Sequence, residues 1–200
     1  MSKKDAAVGV SDHGGWAILV TAGRDGSLLD RRRIELVDES LPKLPHHHDA
    51  QGLPMDEAVA LVERVRVSAE KHAARALDDL ARALDDLARA LPYLRRIALR
   101  QCQPLPPTIP ERLTDYRSQN VADWVMYRRA IALAAESRGW PVFWYDTRTV
   151  LDQARQTLHL PDLDAHFAAV RKSAGPPWDK DHRLAMAAAI VAASVRESGP

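Results

Sequence analysis

Carboxylate and imidazole side chains occur in this chain where a predicted strand ends or a predicted helix begins. Carboxylates are the ligands that Mg²⁺ and Mn²⁺ prefer, and about three or four of them around two such ions support phosphodiester hydrolysis. Imidazoles favour zinc and related ions. The carboxylates could therefore form a magnesium or manganese site, and the imidazoles a zinc site. Either site requires that the fold bring the side chains together. The residues are Asp12, His13, His46, His47, His48, Glu57, Asp179, Asp181 and His182.

The histidine triplet His46–His48 lies in DESLPKLPHHHDAQGLP, a segment with three prolines that is predicted to be a loop. Adjacent side chains point in different directions, so one or two of the three imidazoles could bind the same ion. The alternative is a polar loop whose histidines are solvated. His182 lies near the start of a predicted helix and is expected at the surface.

Five apolar or β-branched runs predict the strands that must position these side chains. The first three are joined by the glycine turns Gly14-Gly15 and GRDG, which predicts an antiparallel meander. PVFWYD is almost entirely apolar or aromatic, which is typical of a central parallel strand. The predicted strands are residues 6–11, 16–22, 27–37, 93–102 and 141–146.

A long helix is predicted from about Asp56 to Leu91, because no proline or glycine interrupts this stretch. The unit ARALDDL occurs twice and then begins a third time, which extends the helix over residues 74–91. At 1.5 Å per residue the helix would be about 54 Å long, so part of it is expected to extend beyond the body. The unit places leucines at alternating spacings of three and four: Leu77, Leu80, Leu84, Leu87 and Leu91.

The leucine stripe has two interpretations. One is a dimerisation arm, because an exposed apolar stripe needs a covering partner, here a second copy of the chain. The other is a slippage duplication that lengthened an existing helix while keeping its buried face. Two heptads are fewer than a coiled coil usually has.

Further helices are predicted at residues 110–138, 147–158, 163–173 and 179–195. Three strands in a meander followed by alternating helices and strands resemble the ribonuclease H-like fold, and within it the Holliday-junction-resolvase branch. The opening VGVSDHGGWAILV is similar to the family's G-I-D-P-G…G-x-A-V start. The closing DKDHRLAMAAAIVAAS is similar to its last helix. The resemblance implies an α/β fold with a five-stranded mixed sheet, three strands antiparallel and two parallel, flanked by helices.

The resemblance also implies a site at the C-terminal edge of the strands, where open α/β sheets bind ligands. An enzyme of this type would be a Mg²⁺- or Mn²⁺-dependent nuclease with Asp12, Glu57, Asp179 and Asp181 as catalytic residues. The implied metal ligands are Asp12, Glu57, Asp181 and His182.

The chain departs from the family pattern at two positions. Ser11 stands where the family has its first acid, and a shift of one residue turns a side chain to the opposite face of a sheet. Gln101, Cys102 and Gln103 stand where the family has an acid after the fourth strand. A catalytically inactive domain of this fold is therefore the first prediction. The alternatives are a Mg²⁺- or Mn²⁺-dependent nuclease and a non-enzymatic module that self-associates or docks a partner through the leucine heptad helix.

Composition narrows the class of protein. The chain has 200 residues, a formal net charge of +1 and one cysteine. The charge excludes a strong global attraction to nucleic acid, so nucleic acid is a possible partner without support from net charge. A single cysteine cannot form an intramolecular disulfide, and no signal peptide or membrane span is recognised. We expect one cytoplasmic domain over residues 1–200 and no membrane partner.

Overall fold

The computed structural model describes residues 5–87 and 93–195. Its strands form one mixed sheet in the order β3-β2-β1-β4-β5. The β1–β2 and β2–β3 pairs are antiparallel, whereas the β1–β4 and β4–β5 pairs are parallel. This is the ribonuclease H-like arrangement that the sequence predicted. The strands are β1 (Asp5–His13), β2 (Trp16–Gly23), β3 (Leu28–Glu35), β4 (Tyr93–Arg100) and β5 (Val142–Tyr145).

Helices cover both faces of this sheet. The first and third helices bury one face, and the last three bury the other. The predicted helix over residues 110–138 is two helices, because Asp115 has extended backbone geometry and caps the second one through the Ser118 amide. The helices are α1 (Met55–Leu87), α2 (Ile109–Thr114), α3 (Tyr116–Glu136), α4 (Val150–Thr157), α5 (Leu163–Ala174) and α6 (Lys180–Ser194).

The helix α6 lies directly on the central strand β1. A Cβ atom placed on Gly9 would lie 1.8 Å from the carbonyl oxygen of Ala185, so the strand needs glycine at this point. The alanines of α6 are buried against the sheet. Because small residues face each other here, the N-terminus of α6 is held close to the C-terminal end of β1.

The leucine stripe of α1 is used inside the chain over its first half. Leu77 and Leu80 are fully buried in the core between α1, α3 and the sheet, and Leu84 packs against the same core. The prediction of an exposed stripe is therefore wrong for Leu77 and Leu80. The described helix has 33 residues, about 50 Å. Leu87 is its last residue, and Leu91 lies outside the described residues.

Among the helices in residues 5–87 and 93–195, none has the length and apolar character that crossing a membrane requires.

Candidate functional site

The C-terminal end of β1 presents its side chains to two different helices. Successive residues of a strand point to opposite faces of the sheet. Ser11 and His13 therefore face α6, and Asp12 faces α3. Ser11 Oγ donates a hydrogen bond of 2.9 Å to Asp181 Oδ1 at the start of α6. His13 Nε2 lies 3.1 Å from the same carboxylate oxygen.

The carboxylate of Asp12 is engaged on the other face of the sheet. Asp12 is 1% exposed, and Arg128 Nε of α3 donates to its Oδ2 at 2.7 Å. Arg128 Nη1 also donates to the backbone oxygen of Gln101 at 3.1 Å. The structure therefore does not bring Asp12 and Asp181 together, because they occupy opposite faces of one strand.

Asp179 and His182 form the N-terminal cap of α6. The Asp179 carboxylate accepts hydrogen bonds from the Asp181 and His182 amides, and His182 Nδ1 lies 2.8 Å from it. Burial alone would raise the pKa of Asp179, but its hydrogen bonds with His182 outweigh this and lower the pKa. His182 is buried beside Trp178, so the prediction of a surface position for His182 is wrong.

Glu57 is exposed in the first turn of α1, where an acid is favourable to the helix dipole. That end of α1 packs with α2 rather than with α6. Within the described ranges, no three His, Cys, Asp or Glu side chains are arranged to hold a metal ion.

The histidine triplet forms a π-helical turn, Pro45–Asp49, on α3. His46 is buried, and its Nδ1 lies 2.8 Å from Asp123 Oδ1. Asp123 also accepts hydrogen bonds from the amides of His46 and His47. The alternative of three solvated histidines is therefore wrong for His46, which anchors this turn to α3.

The donor set at the α6 face does not fit two hard metal ions. Asp181 supplies one carboxylate there, Ser11 a hydroxyl and His13 an imidazole. Two-metal hydrolysis requires about three carboxylates or more around ions that are about 4 Å apart. Asp12 could join this set only by leaving Arg128 and turning to the other face of the strand.

A three-layer stack stands beside Asp181 at the tip of the β1–β2 hairpin. The rings of His13 and Trp16 are parallel, with their centroids 4.0 Å apart. Arg33 Cζ lies 3.9 Å from the Trp16 centroid, so the guanidinium must occupy the opposite face of the indole. The two outer members of the stack, His13 and Arg33, are both partly exposed to solvent.

A cleft on the α3 face, which we call the Arg100 cleft, was not predicted from the sequence. It encloses about 350 Å³ at the C-terminal ends of β4 and β5. The sequence did contain one indication of this cleft, the spacing of Asn120, Trp124 and Arg128. Residues four apart lie on the same face of a helix, so these three side chains could be expected on one surface. Trp124 lines this cleft with part of its side chain. The lining residues are Arg100, Gln101, Gln103, Asn120, Val121, Trp124, Val125, Arg128 and Thr147.

No protein-family model matches the sequence, and no curated protein is similar to it. Among solved structures, the chain is similar to Thermus thermophilus RuvC in complex with a Holliday junction substrate. The identity is 16%, the TM-score is 0.45, and the match covers 94% of this chain and 91% of that chain. A second T. thermophilus RuvC structure has 12% identity and a TM-score of 0.40, covering 93% of this chain and 92% of that chain. With identities this low and TM-scores below 0.5, these similarities assign neither a family nor a function to this chain.

Proposed function

We propose that this chain is a ribonuclease H-like domain that binds nucleic acid at the C-terminal edge of its sheet and does not hydrolyse it. The observation that carries the proposal is the division of the two acids across β1. Asp181 meets Ser11 and His13 on one face, while Asp12 is held by Arg128 on the other.

The absence of hydrolysis follows from the cost of rebuilding the carboxylate set. Arg128 and Asp12 are both more than nine-tenths buried. Breaking one side of such a pair costs about 3–5 kcal/mol, since a charge is then left buried without its partner. A metal at Asp181 would recover little of this cost, because Ser11 supplies a neutral oxygen where a second carboxylate is needed.

Support for binding comes from the stack of His13, Trp16 and Arg33. The side chain of His13 is 31% exposed and that of Arg33 is 49% exposed, so both outer layers reach solvent. Imidazole and guanidinium planes stack on unpaired bases, and guanidinium groups also donate to phosphate oxygens. Arg33 pairs with Glu35, an exposed contact that contributes little and can be exchanged for a phosphate.

Fluorescence anisotropy with labelled single-stranded DNA, duplex DNA and a four-way junction tests the binding. We expect His13→Ala and Arg33→Ala each to weaken binding about fivefold or more, which corresponds to the loss of one stacking contact. Arg64→Ala, which removes an exposed arginine of α1, is the matched control and should leave the affinity nearly unchanged. Equal affinities for all four proteins would refute the proposed location.

Gel analysis of the same substrates with Mg²⁺ or Mn²⁺ tests the second half of the proposal. We expect intact substrate under both conditions. Metal-dependent products that a folded Asp12→Asn variant no longer makes would instead refute this half of the proposal and favour the nuclease predicted with Asp12, Glu57, Asp179 and Asp181. Self-association through the heptad helix also stays a prediction, which light scattering tests.

A further inference from the structure

The Arg100 cleft lies on the opposite side of β1 from the cluster of Ser11, His13 and Asp181. Its volume of about 350 Å³ is within the range of small-ligand sites. The walls come from the end of β4, from the segment after β5 and from one face of α3. Because none of its lining residues belongs to the stack at the hairpin tip, the cleft would be a separate site.

The lining chemistry favours an anion. Guanidinium, carboxamide and hydroxyl groups border the cavity, and no carboxylate is among its described lining residues. Asp12 compensates the charge of Arg128, but no carboxylate in the described ranges pairs with Arg100. The neighbour of Arg100 is the hydroxyl of Tyr145. Burial raises the pKa of that phenol, so the hydroxyl stays neutral and leaves one positive charge uncompensated.

The Arg128 side of the cleft is ordered before any ligand binds. Arg128 is 6% exposed and is held by Asp12 and by the Gln101 carbonyl. Arg100 Nε is buried and has no hydrogen-bond partner in the described part of the chain. Arg128, fixed in this way, loses little conformational entropy on binding. Its guanidinium is therefore preformed for an oxyanion, and the buried, unpaired Nε of Arg100 is a further donor in the same cleft.

The indole of Trp124 adds a flat apolar wall one turn of α3 before Arg128. Trp124 is half-buried, so part of its ring borders the open cavity. An oxyanion held by Arg100 would place an attached planar ring within reach of this wall. We propose that the Arg100 cleft binds a phosphate-bearing ligand with a planar ring, of the nucleoside monophosphate class. The phosphate contacts Arg100, the ring lies on Trp124, and the carboxamides supply further hydrogen bonds.

Isothermal titration with inorganic phosphate, nucleoside 5′-monophosphates and the corresponding nucleosides tests this proposal on the full chain. We expect a monophosphate to bind about tenfold or more tightly than its nucleoside, because charge-assisted hydrogen bonds are the strong ones. Arg100→Gln should weaken the monophosphate about tenfold. Trp124→Leu should weaken the monophosphate but not inorganic phosphate. Arg64→Ala, which removes an exposed arginine of α1 that belongs neither to the cleft lining nor to the stack, should change neither.

Competition by oligonucleotides identifies the source of the phosphate. A 5′-phosphorylated strand that displaces the monophosphate, when the unphosphorylated strand does not, would show that a strand end occupies the cleft. Displacement by free nucleotides alone would show a small-molecule site.

Circular dichroism tests whether the Arg100→Gln protein is folded. If that variant is unfolded, Trp124→Leu provides an independent test of the cleft. The proposal would be refuted if no phosphate compound bound at concentrations up to about 10 mM. That limit corresponds to a binding free energy weaker than about 3 kcal/mol. Equal binding by the wild type and both cleft variants would refute it as well. Since the stack variants report on the other face, failure here is distinguishable from failure of the proposed nucleic-acid site.

Discussion

Replacing Arg128 by methionine would leave a buried carboxylate with neither oxygen paired. Asp12 Oδ1 already has no hydrogen-bond partner in the described part of the chain, and Oδ2 would lose the guanidinium. With Asp12 at 1% exposure, water cannot replace that contact easily. We therefore expect Arg128→Met to lower the free energy of unfolding by about 3–5 kcal/mol. This is a large part of the 5–15 kcal/mol, roughly, that holds a typical domain together.

The partner variant separates charge from packing. Asp12→Asn removes the negative charge, but Arg128 keeps its hydrogen bond to the Gln101 carbonyl and borders the open cleft. Its expected cost is smaller, about 1–3 kcal/mol. The double variant has no buried charge at these two positions and should lie within about 2 kcal/mol of the wild type. A double-mutant cycle should therefore give a coupling energy of about 2 kcal/mol or more.

Urea unfolding followed by tryptophan fluorescence, with and without Mn²⁺, measures these quantities. We expect each variant to lose the same free energy of unfolding with and without Mn²⁺, because Asp12 pairs with Arg128 and does not bind a metal ion. Two results would refute this reasoning. One is an Arg128→Met protein that is as stable as the wild type. The other is a stabilisation of the wild type by Mn²⁺ that disappears in Asp12→Asn.

Four further predictions use other parts of the structure. Ser11→Asp places a second carboxylate beside Asp181, so Mn²⁺ should raise the melting temperature of this variant by about 2–4 °C and leave the wild type unchanged in a thermal-shift assay. Asp123→Ala removes the hydrogen bonds from the histidine turn and should lower the unfolding free energy in urea by about 3 kcal/mol, with His46→Ala as its comparison. The lowered pKa of Asp179 stabilises the fold above the ordinary value of 3.8, and that contribution is lost as the pH falls through the lowered pKa. Asp179→Asn keeps the cap and should show a flatter loss of stability below about pH 4, which a series of melting curves would reveal. Deleting residues 81–87 keeps the buried Leu77 and Leu80, so light scattering should give the same number of chains per particle; a smaller number would identify the rest of the stripe as an interface.

Local patterns in the chain are sufficient to predict the sheet and most helices. Alternation, β-branched runs and glycine turns act between near neighbours, and Gly15 has the positive φ that the first hairpin requires. The order of strands and helices then limits the topology to a few choices. The sequence also shows that Ser11 stands where the family pattern has an acid. Because successive residues of a strand point to opposite faces of the sheet, it follows that Asp12 lies on the other face. These features depend on contacts between residues that are close in the sequence.

The site depends on contacts that no local pattern contains. Arg128 is 116 positions from Asp12, and Asp181 is 170 positions from Ser11. Which helix packs on which face of β1 decides that one acid becomes half of a buried ion pair while the other borders a hydroxyl and an imidazole. The same holds for His46, whose burial depends on Asp123, 77 positions away. The residue types were determined by the sequence, but their electrostatic roles were decided by tertiary packing, because burial and charge pairing exist only after distant elements have met.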